Sequence, residues 1–176
     1  MRERLVLVNE FGVRTGTADR IECHTGLGIR HLAFVILLLD SQSRVLIQKR
    51  HQHKLGGNLW DVSATSHVRF NETYASAIQR CLSHELGIDA NLRPEYLLSY
   101  TYLESLGDRA ENEFCSLFCM PYGGSITPNP EELDECRWVP VTQLANWYRT
   151  DPGRFTRWFG EAFERLQRHP SAIWCK

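Results

Sequence analysis

The sequence predicts an α/β (α+β) domain, with a mixed β-sheet sandwiched between helices. Three observations carry the prediction. Short apolar runs of strand length lie on both sides of one strongly periodic helical stretch, residues 72–86. A second amphipathic stretch closes the chain. The 176 residues are 43% hydrophobic and 23% charged, which suits one ordinary domain with a packed core. A single domain over 1–176 is expected, with its core at about 31–145 and a closing helix at about 153–168.

Leu5-Val6-Leu7-Val8 reads as the first strand, Asn9 to Gly12 as a turn, and Val13 onward as the second strand. His31 to Asp40 is too apolar for an exposed face and reads as a buried strand. Ser41 to Ser43 turns the chain, and Val45 to Gln48 returns it as a hairpin partner. Leu55-Gly56-Gly57-Asn58 breaks the chain before a short strand, Leu59 to Ala64. Glu72 to Leu86 is the clearest helix, because Ile78, Leu82 and Leu86 repeat every four residues beside Ala77, Cys81 and Glu85. Asn71 is the expected N-cap, Glu72 lies in the first turn, and Gly87 ends the helix. Strands Glu95 to Leu103 and Phe114 to Met120 flank a polar loop at Ser105 to Ala110. Pro128 to Pro130 is a loop, Cys136 to Val139 a late strand, and Pro140 stands where a helical turn would begin. Phe155 to Gln167 is the closing amphipathic helix.

The 20 basic and 21 acidic side chains give a net charge of −1, which removes the electrostatic case for binding nucleic acid or an anionic membrane. No apolar run reaches the roughly 18–20 residues of a membrane span, and the first residues lack the pattern of a signal peptide. The six cysteines show no disulfide framework, so reduced thiols in a cytoplasmic protein are expected. Cys115 and Cys119, four apart in a strand, would lie roughly 13 Å apart, too far to share a zinc ion.

Three features carry candidate chemistry. The first is the set His24, His31, His67, Glu85, Glu111 and Glu113. Glu111 and Glu113 leave one face of a strand, where a carboxylate pair repels itself unless a cation or proton intervenes. With imidazoles they suit Mn²⁺, Zn²⁺ or Mg²⁺; the same residues also read as a solvated pair with unrelated histidines. The second is the spacing Ser66-x5-Glu72-x7-Arg80-x4-Glu85-x-Gly87-Ile88. It resembles the Nudix box, Gly-x5-Glu-x7-Arg-Glu-apolar-x-Glu-Glu-x-Gly-apolar, with Ser66, Cys81 and His84 at positions where the box has Gly, Glu and Glu. The third is Arg50 and Lys54, which could clamp a phosphate as fork and point charge or stand as ordinary loop cations. His51 and His53 read as solvated loop residues that could contact phosphate, His84 as a half-exposed helix residue that could serve as a metal ligand, and Glu131 and Glu132 as surface charges, although a carboxylate here could reach the site mouth as a base.

Beyond the box, the order of short motifs resembles type I isopentenyl-diphosphate isomerase, a Nudix-fold enzyme, from about Leu5 to Trp158. The motifs are Thr15-Gly16-Thr17, Cys23-His24-Thr25, His31 to Phe34, Leu46 to Arg50 with Lys54, Leu59-Trp60 and Ser66-His67. They continue with Gln79-Arg80 through Ile88, Glu111-Asn112-Glu113, Trp138-Val139 and Phe155 to Trp158. The resemblance implies a metal held by His24, His31, His67, Glu111 and Glu113, and a Mg²⁺ that arrives with the diphosphate and touches Glu85. It implies that Arg50, Lys54 and Arg20 contact the diphosphate, and that Tyr102 and Trp158 line the hydrocarbon pocket. A π-face such as Trp158 can stabilise the carbocation formed on protonating an alkene, and a dry pocket keeps water from trapping it.

In that family Glu113 pairs with a catalytic cysteine two residues before the histidine matching His67. Here that position is Thr65, a far poorer proton donor and base. Cys81 stands where the family often has an arginine, and Gly56-Gly57 replaces a Pro-Gly turn. The substrate class implied is a small isoprenoid (prenyl) diphosphate. Because of Thr65, the reading placed first is metal-dependent hydrolysis to a prenyl monophosphate, with Glu113 or Glu85 assisting as base. The alternative is isomerisation of isopentenyl to dimethylallyl diphosphate, and the third is diphosphate binding without catalysis.

Overall fold

The structure, a computed structural model, describes residues 3–90 and 92–169. Strands β1 (Arg4–Val8) and β2 (Arg14–Asp19) form an antiparallel hairpin. Its turn needs Gly12, because φ is 76° and a Cβ there would fall 2.7 Å from the Phe114 ring. The short helix α1 (Arg20–Cys23) follows, capped by the Asp19 carboxylate, which accepts from the Ile21 N–H.

The centre of the sheet is β3 (His31–Leu39), apolar along its length because both its faces are covered. Phe34, Ile36 and Leu38 enter one apolar cluster, and Ala33, Val35 and Leu37 enter the other. Next come β4 (Arg44–Arg50), β5 (Trp60–Asp61), β6 (Ala64–His67) and helix α2 (Tyr74–Leu86). The long hairpin of β7 (Glu95–Leu106) and β8 (Arg109–Pro121) lays β8 parallel to β3, while β6 pairs antiparallel with the other edge of β3. Then follow β9 (Leu133–Pro140), paired along β4, helix α3 (Val141–Thr150), a 3-10 turn (Pro152–Arg154) and helix α4 (Arg157–Gln167). Ala77, Ile78, Leu82 and Leu86 of α2 cover one face of the sheet. Leu144 of α3 and Phe159 and Phe163 of α4 cover the other. The expected mixed sheet between helices is what forms. Among the described residues no helix is long and apolar enough to cross a membrane.

Several boundaries move. The N-cap of α2 is Thr73, not Asn71: Thr73 Oγ1 accepts from the Ser76 N–H, and Ser76 Oγ accepts from the Thr73 N–H. Glu72 therefore lies outside the helix and turns back to Arg80. The strand expected at Leu59 to Ala64 is two strands, because the chain leaves β4 at Asp61 and joins β3 at Ala64. The expected polar loop at Ser105 to Ala110 is a two-residue turn, with Leu106 opposite Arg109 and Gly107 at φ 72°. The closing helix starts at Arg157, because Thr156 is its N-cap and accepts from the Phe159 N–H.

Candidate active site

Strand register assembles the site. Glu113 on β8 lies beside His31 on β3 and opposite Tyr102 on β7, and His67 on β6 lies opposite Ala33. With a side-chain period of two, His31, His67, Thr65, Tyr102, Glu111 and Glu113 leave the same sheet face. His24, at the end of α1, joins them because its carbonyl accepts from the Ala110 N–H, one residue before Glu111.

The three imidazoles converge, each pair of ring centroids 4.8 Å apart. His24 Nδ1 lies 2.6 Å from the Arg20 carbonyl and His31 Nδ1 lies 2.8 Å from that of Ile29. A carbonyl only accepts, so both Nδ1 atoms carry the proton and both Nε2 lone pairs face the centre. His24 Nε2 and His67 Nε2 are 3.3 Å apart. His31 Nε2 is buried without a hydrogen-bond partner, and Glu111 Oε2 has only the His24 and His67 Nε2 atoms near it, at 3.3 and 3.9 Å. One donor atom from each of His24, His31, His67 and Glu111 falls within 4.8 Å of the others. Glu113 Oε1 is 3.1 Å from His67 Nε2 and 3.8 Å from His31 Nε2, and Glu113 Oε2 accepts from the Tyr102 hydroxyl at 2.7 Å. Buried lone pairs aimed at one point without partners are costly unless a cation satisfies them. The donor set of imidazoles and carboxylates fits a divalent metal.

The protonation states follow from the same packing. Burial pushes the His31 imidazole down to about 3, and the His67 charge beside it adds to the shift. Burial also opposes a charge on His67, but the adjacent Glu111 and Glu113 outweigh it and raise it to about 9. Glu111 is held well below the usual carboxylate range: against its burial act His24 and His67. Burial raises Glu113, and the Glu111 charge reinforces the rise against the hydrogen bond to His67. Of two carboxylates on one face, one is pushed down and the other up.

A cavity of about 620 Å³ opens over this cluster, and every predicted site residue lines it except the fully buried His31. At its mouth Lys54 pairs with Glu132 and lies 3.6 Å from Glu85, while His84 Nε2 is 3.0 Å from Glu132. Glu85 is buried and accepts from the Gln48 amide at 3.0 Å. Burial raises its pKa, with Lys54 opposing. Glu132 thus reaches the site mouth, and His84, an exposed residue of α2, contacts it. The N–H groups of Thr127 and Asn129 donate to the Leu86 and Glu85 carbonyls at the end of α2, and with the β4–β9 pairing they bring Glu132 to the helix. Glu72, the one other box carboxylate, is tied to Arg80 at 2.6 Å.

Arg50 donates from Nε to the Leu55 carbonyl and from Nη1 to the Asp61 carboxylate, both at 2.8 Å. Arg20, exposed at the rim, lies 3.6 Å from Glu3. The Thr65 hydroxyl donates to the Phe34 carbonyl at 2.9 Å. Cys81 Sγ reaches the Thr65 carbonyl at 3.7 Å and lines the cavity, but burial pushes its thiol well above its ordinary range. Cys115, directly opposite Tyr100 on β7, is fully buried. Cys175 lies outside the described residues.

The NUDIX domain family matches residues 29–159. A protein of Burkholderia multivorans named isopentenyl-diphosphate Delta-isomerase is 33% identical over 94% of this chain and 93% of its own length. One of the same name from Haloarcula marismortui is 34% identical over 93% and 91%. Among solved structures, DR0079 from Deinococcus radiodurans superposes with a TM-score of 0.74 at 24% identity, covering 96% of this chain and 99% of that one. A MutT protein from Methanosarcina mazei gives 0.64 at 16% identity, over 79% and 94%. The α2 loop–helix with its Glu85-x-Gly87 ending thus sits in a fold and a chain-long sequence match that agree, and the chain belongs to the Nudix family, where it resembles the isopentenyl-diphosphate isomerases.

Proposed function

We propose that this Nudix enzyme isomerises isopentenyl diphosphate to dimethylallyl diphosphate. The observation that carries the reading is the division of the cavity. Glu113, a buried carboxyl that accepts from the Tyr102 hydroxyl, lies beside the apolar cluster that holds Tyr102 and Trp158, whereas Lys54, Glu85 and Glu132 form a separate charged group at the mouth. Proton-transfer groups set among aromatic rings act on a hydrocarbon, and charges at the entrance hold its anionic head. The relatives' names point the same way. They move the first reading from hydrolysis to isomerisation.

In this reading Arg50, Lys54 and Arg20 bind the diphosphate, with Glu85 beside a Mg²⁺ that comes with it. Glu113 gives its proton to the terminal alkene carbon, and Tyr102 holds the carboxyl in place. Trp158 faces the tertiary cation that results. The neighbouring CH₂ then gives a proton to a water on the Thr65 side of the alkene, which completes the shift of the double bond. Thr65 has committed its hydrogen to Phe34, so its oxygen only accepts, and it orients a water on that side. His24, His31, His67, Glu111 and Glu113 would hold the second divalent ion, Mn²⁺, Mg²⁺ or Zn²⁺. Bound there, it supplies positive charge that fixes the two carboxylates.

The commitment of Thr65 to Phe34 is also what favours a second reading, hydrolysis of a prenyl diphosphate, which needs no acid at that position. A product assay with isopentenyl diphosphate and Mg²⁺ or Mn²⁺ separates the two. Dimethylallyl diphosphate without phosphate release supports isomerisation. A monophosphate and orthophosphate overturn it in favour of hydrolysis.

A further inference from the structure

Asp61, on the two-residue strand β5, is fully buried and lies at the junction of three elements of the cavity wall. Its Oδ2 accepts from Arg50 Nη1 at 2.8 Å and from the indole Nε1 of Trp158 at 2.7 Å. Its Oδ1 accepts from the Thr156 hydroxyl at 3.0 Å and from the Val62 N–H at 2.8 Å. Thr156 is in turn the N-cap of α4, and its own N–H donates to the Trp60 carbonyl at 2.9 Å. The guanidinium carbon of Arg50 lies 5.1 Å from the centroid of the Trp158 ring. One carboxylate therefore fixes the indole plane, holds the arginine against it, and anchors the helix that carries the tryptophan.

The electrostatic consequence is specific. A guanidinium this close to the ring is a permanent positive charge beside the π-surface on which a cationic carbon would rest. Beyond what the bound diphosphate offsets, that charge beside the ring would raise the energy of the cation. Asp61 supplies the opposite charge through a direct hydrogen bond, and the same oxygen draws on the indole N–H, which leaves the ring more electron-rich. We propose that Asp61 is a positioning residue that sets the Trp158 plane and cancels the Arg50 charge, so that the indole can accept a cationic carbon of the substrate. This rests on the isomerase reading, which requires such a cation.

The test compares two diphosphates of one shape, measured by calorimetry with Mg²⁺ present. Dimethylaminoethyl diphosphate carries an ammonium where the cationic carbon would form, and 3-methylbutyl diphosphate is its neutral isostere. In the wild type the ammonium compound binds more tightly. Asp61→Asn should shrink that preference about 15- to 30-fold, the size of one uncompensated charge about 8–10 Å away at an effective dielectric of about 20. Arg50→Gln should weaken both ligands but enlarge the preference, because Asp61 then faces the ring unneutralised. The opposite sign keeps the test decisive if Asp61→Asn does not fold. A preference unchanged in the variants that fold overturns the charge role. The indole N–H resonance of Trp158, assigned with Trp158→Phe, should move in Asp61→Asn, and an unmoved resonance overturns the positioning role. A wild type that does not prefer the ammonium compound counts against the isomerase reading itself, while the resonance still decides whether Asp61 positions Trp158.

Discussion

Glu113 and His67 are 3.1 Å apart and carry the two shifts that matter most for the chemistry. Glu113→Gln keeps the Tyr102 contact and the volume but removes the transferable proton. Turnover should fall by at least about 10²-fold, the scale of one general acid, with the melting temperature nearly unchanged. Activity within a few-fold of wild type would remove Glu113 from the proposed reaction. His67 makes a prediction about stability. Its pKa in the folded, metal-free protein is about 9, against an ordinary 6.5. A raised folded-state value means the unfolded chain loses its proton first as pH rises. The stabilisation is therefore complete below about pH 6.5 and is lost between there and about pH 9. Urea midpoints of the metal-stripped protein should fall across that window, and the fall should be shallower in His67→Gln. Equal slopes in the two proteins would refute the assignment.

At the scale of elements, α2 is placed by its two ends. The Thr73–Ser76 capping box starts it, and Gly87 stops it with φ 64°. A Cβ at Gly87 would meet Thr127 at 2.9 Å, so both the conformation and the space demand glycine. Thr73→Ala should cost about 1 kcal/mol of stability and leave turnover unchanged, because Thr73 lines no part of the cavity. Thermal unfolding and the product assay check the two halves separately. The period of four in α2 and the apolar run of β3 were legible because each depends only on its own residues. The cap was not: Asn71 and Thr73 are both good N-cap types, and the choice was made by Glu72 turning to Arg80.

At the scale of the whole molecule, the imidazole and carboxylate donors come from α1, β3, β6 and β8. An ion held by four segments far apart in sequence binds the folded chain and has no preformed site in the unfolded one, so it must stabilise the fold. Adding Mn²⁺ or Zn²⁺ to chelator-stripped protein should raise the melting temperature progressively, by about 2.7 kcal/mol of stability at a hundredfold excess over the dissociation constant. In His24→Ala most of that rise should vanish. A melting temperature indifferent to metal would show that the cluster does not hold one.

The sequence alone determined the alternation of strands and helices and the buried central strand, each a local pattern set by side-chain period; the site residues from His24 to Trp158 were implied by its resemblance to a known family. Only the tertiary structure decided that His24 reaches Glu111 and that Lys54 is held by Glu132 rather than left free. Only it revealed that a buried Asp61 joins Arg50 to Trp158. These meetings depend on the register between strands distant in sequence, and register is settled by packing both faces of the sheet at once.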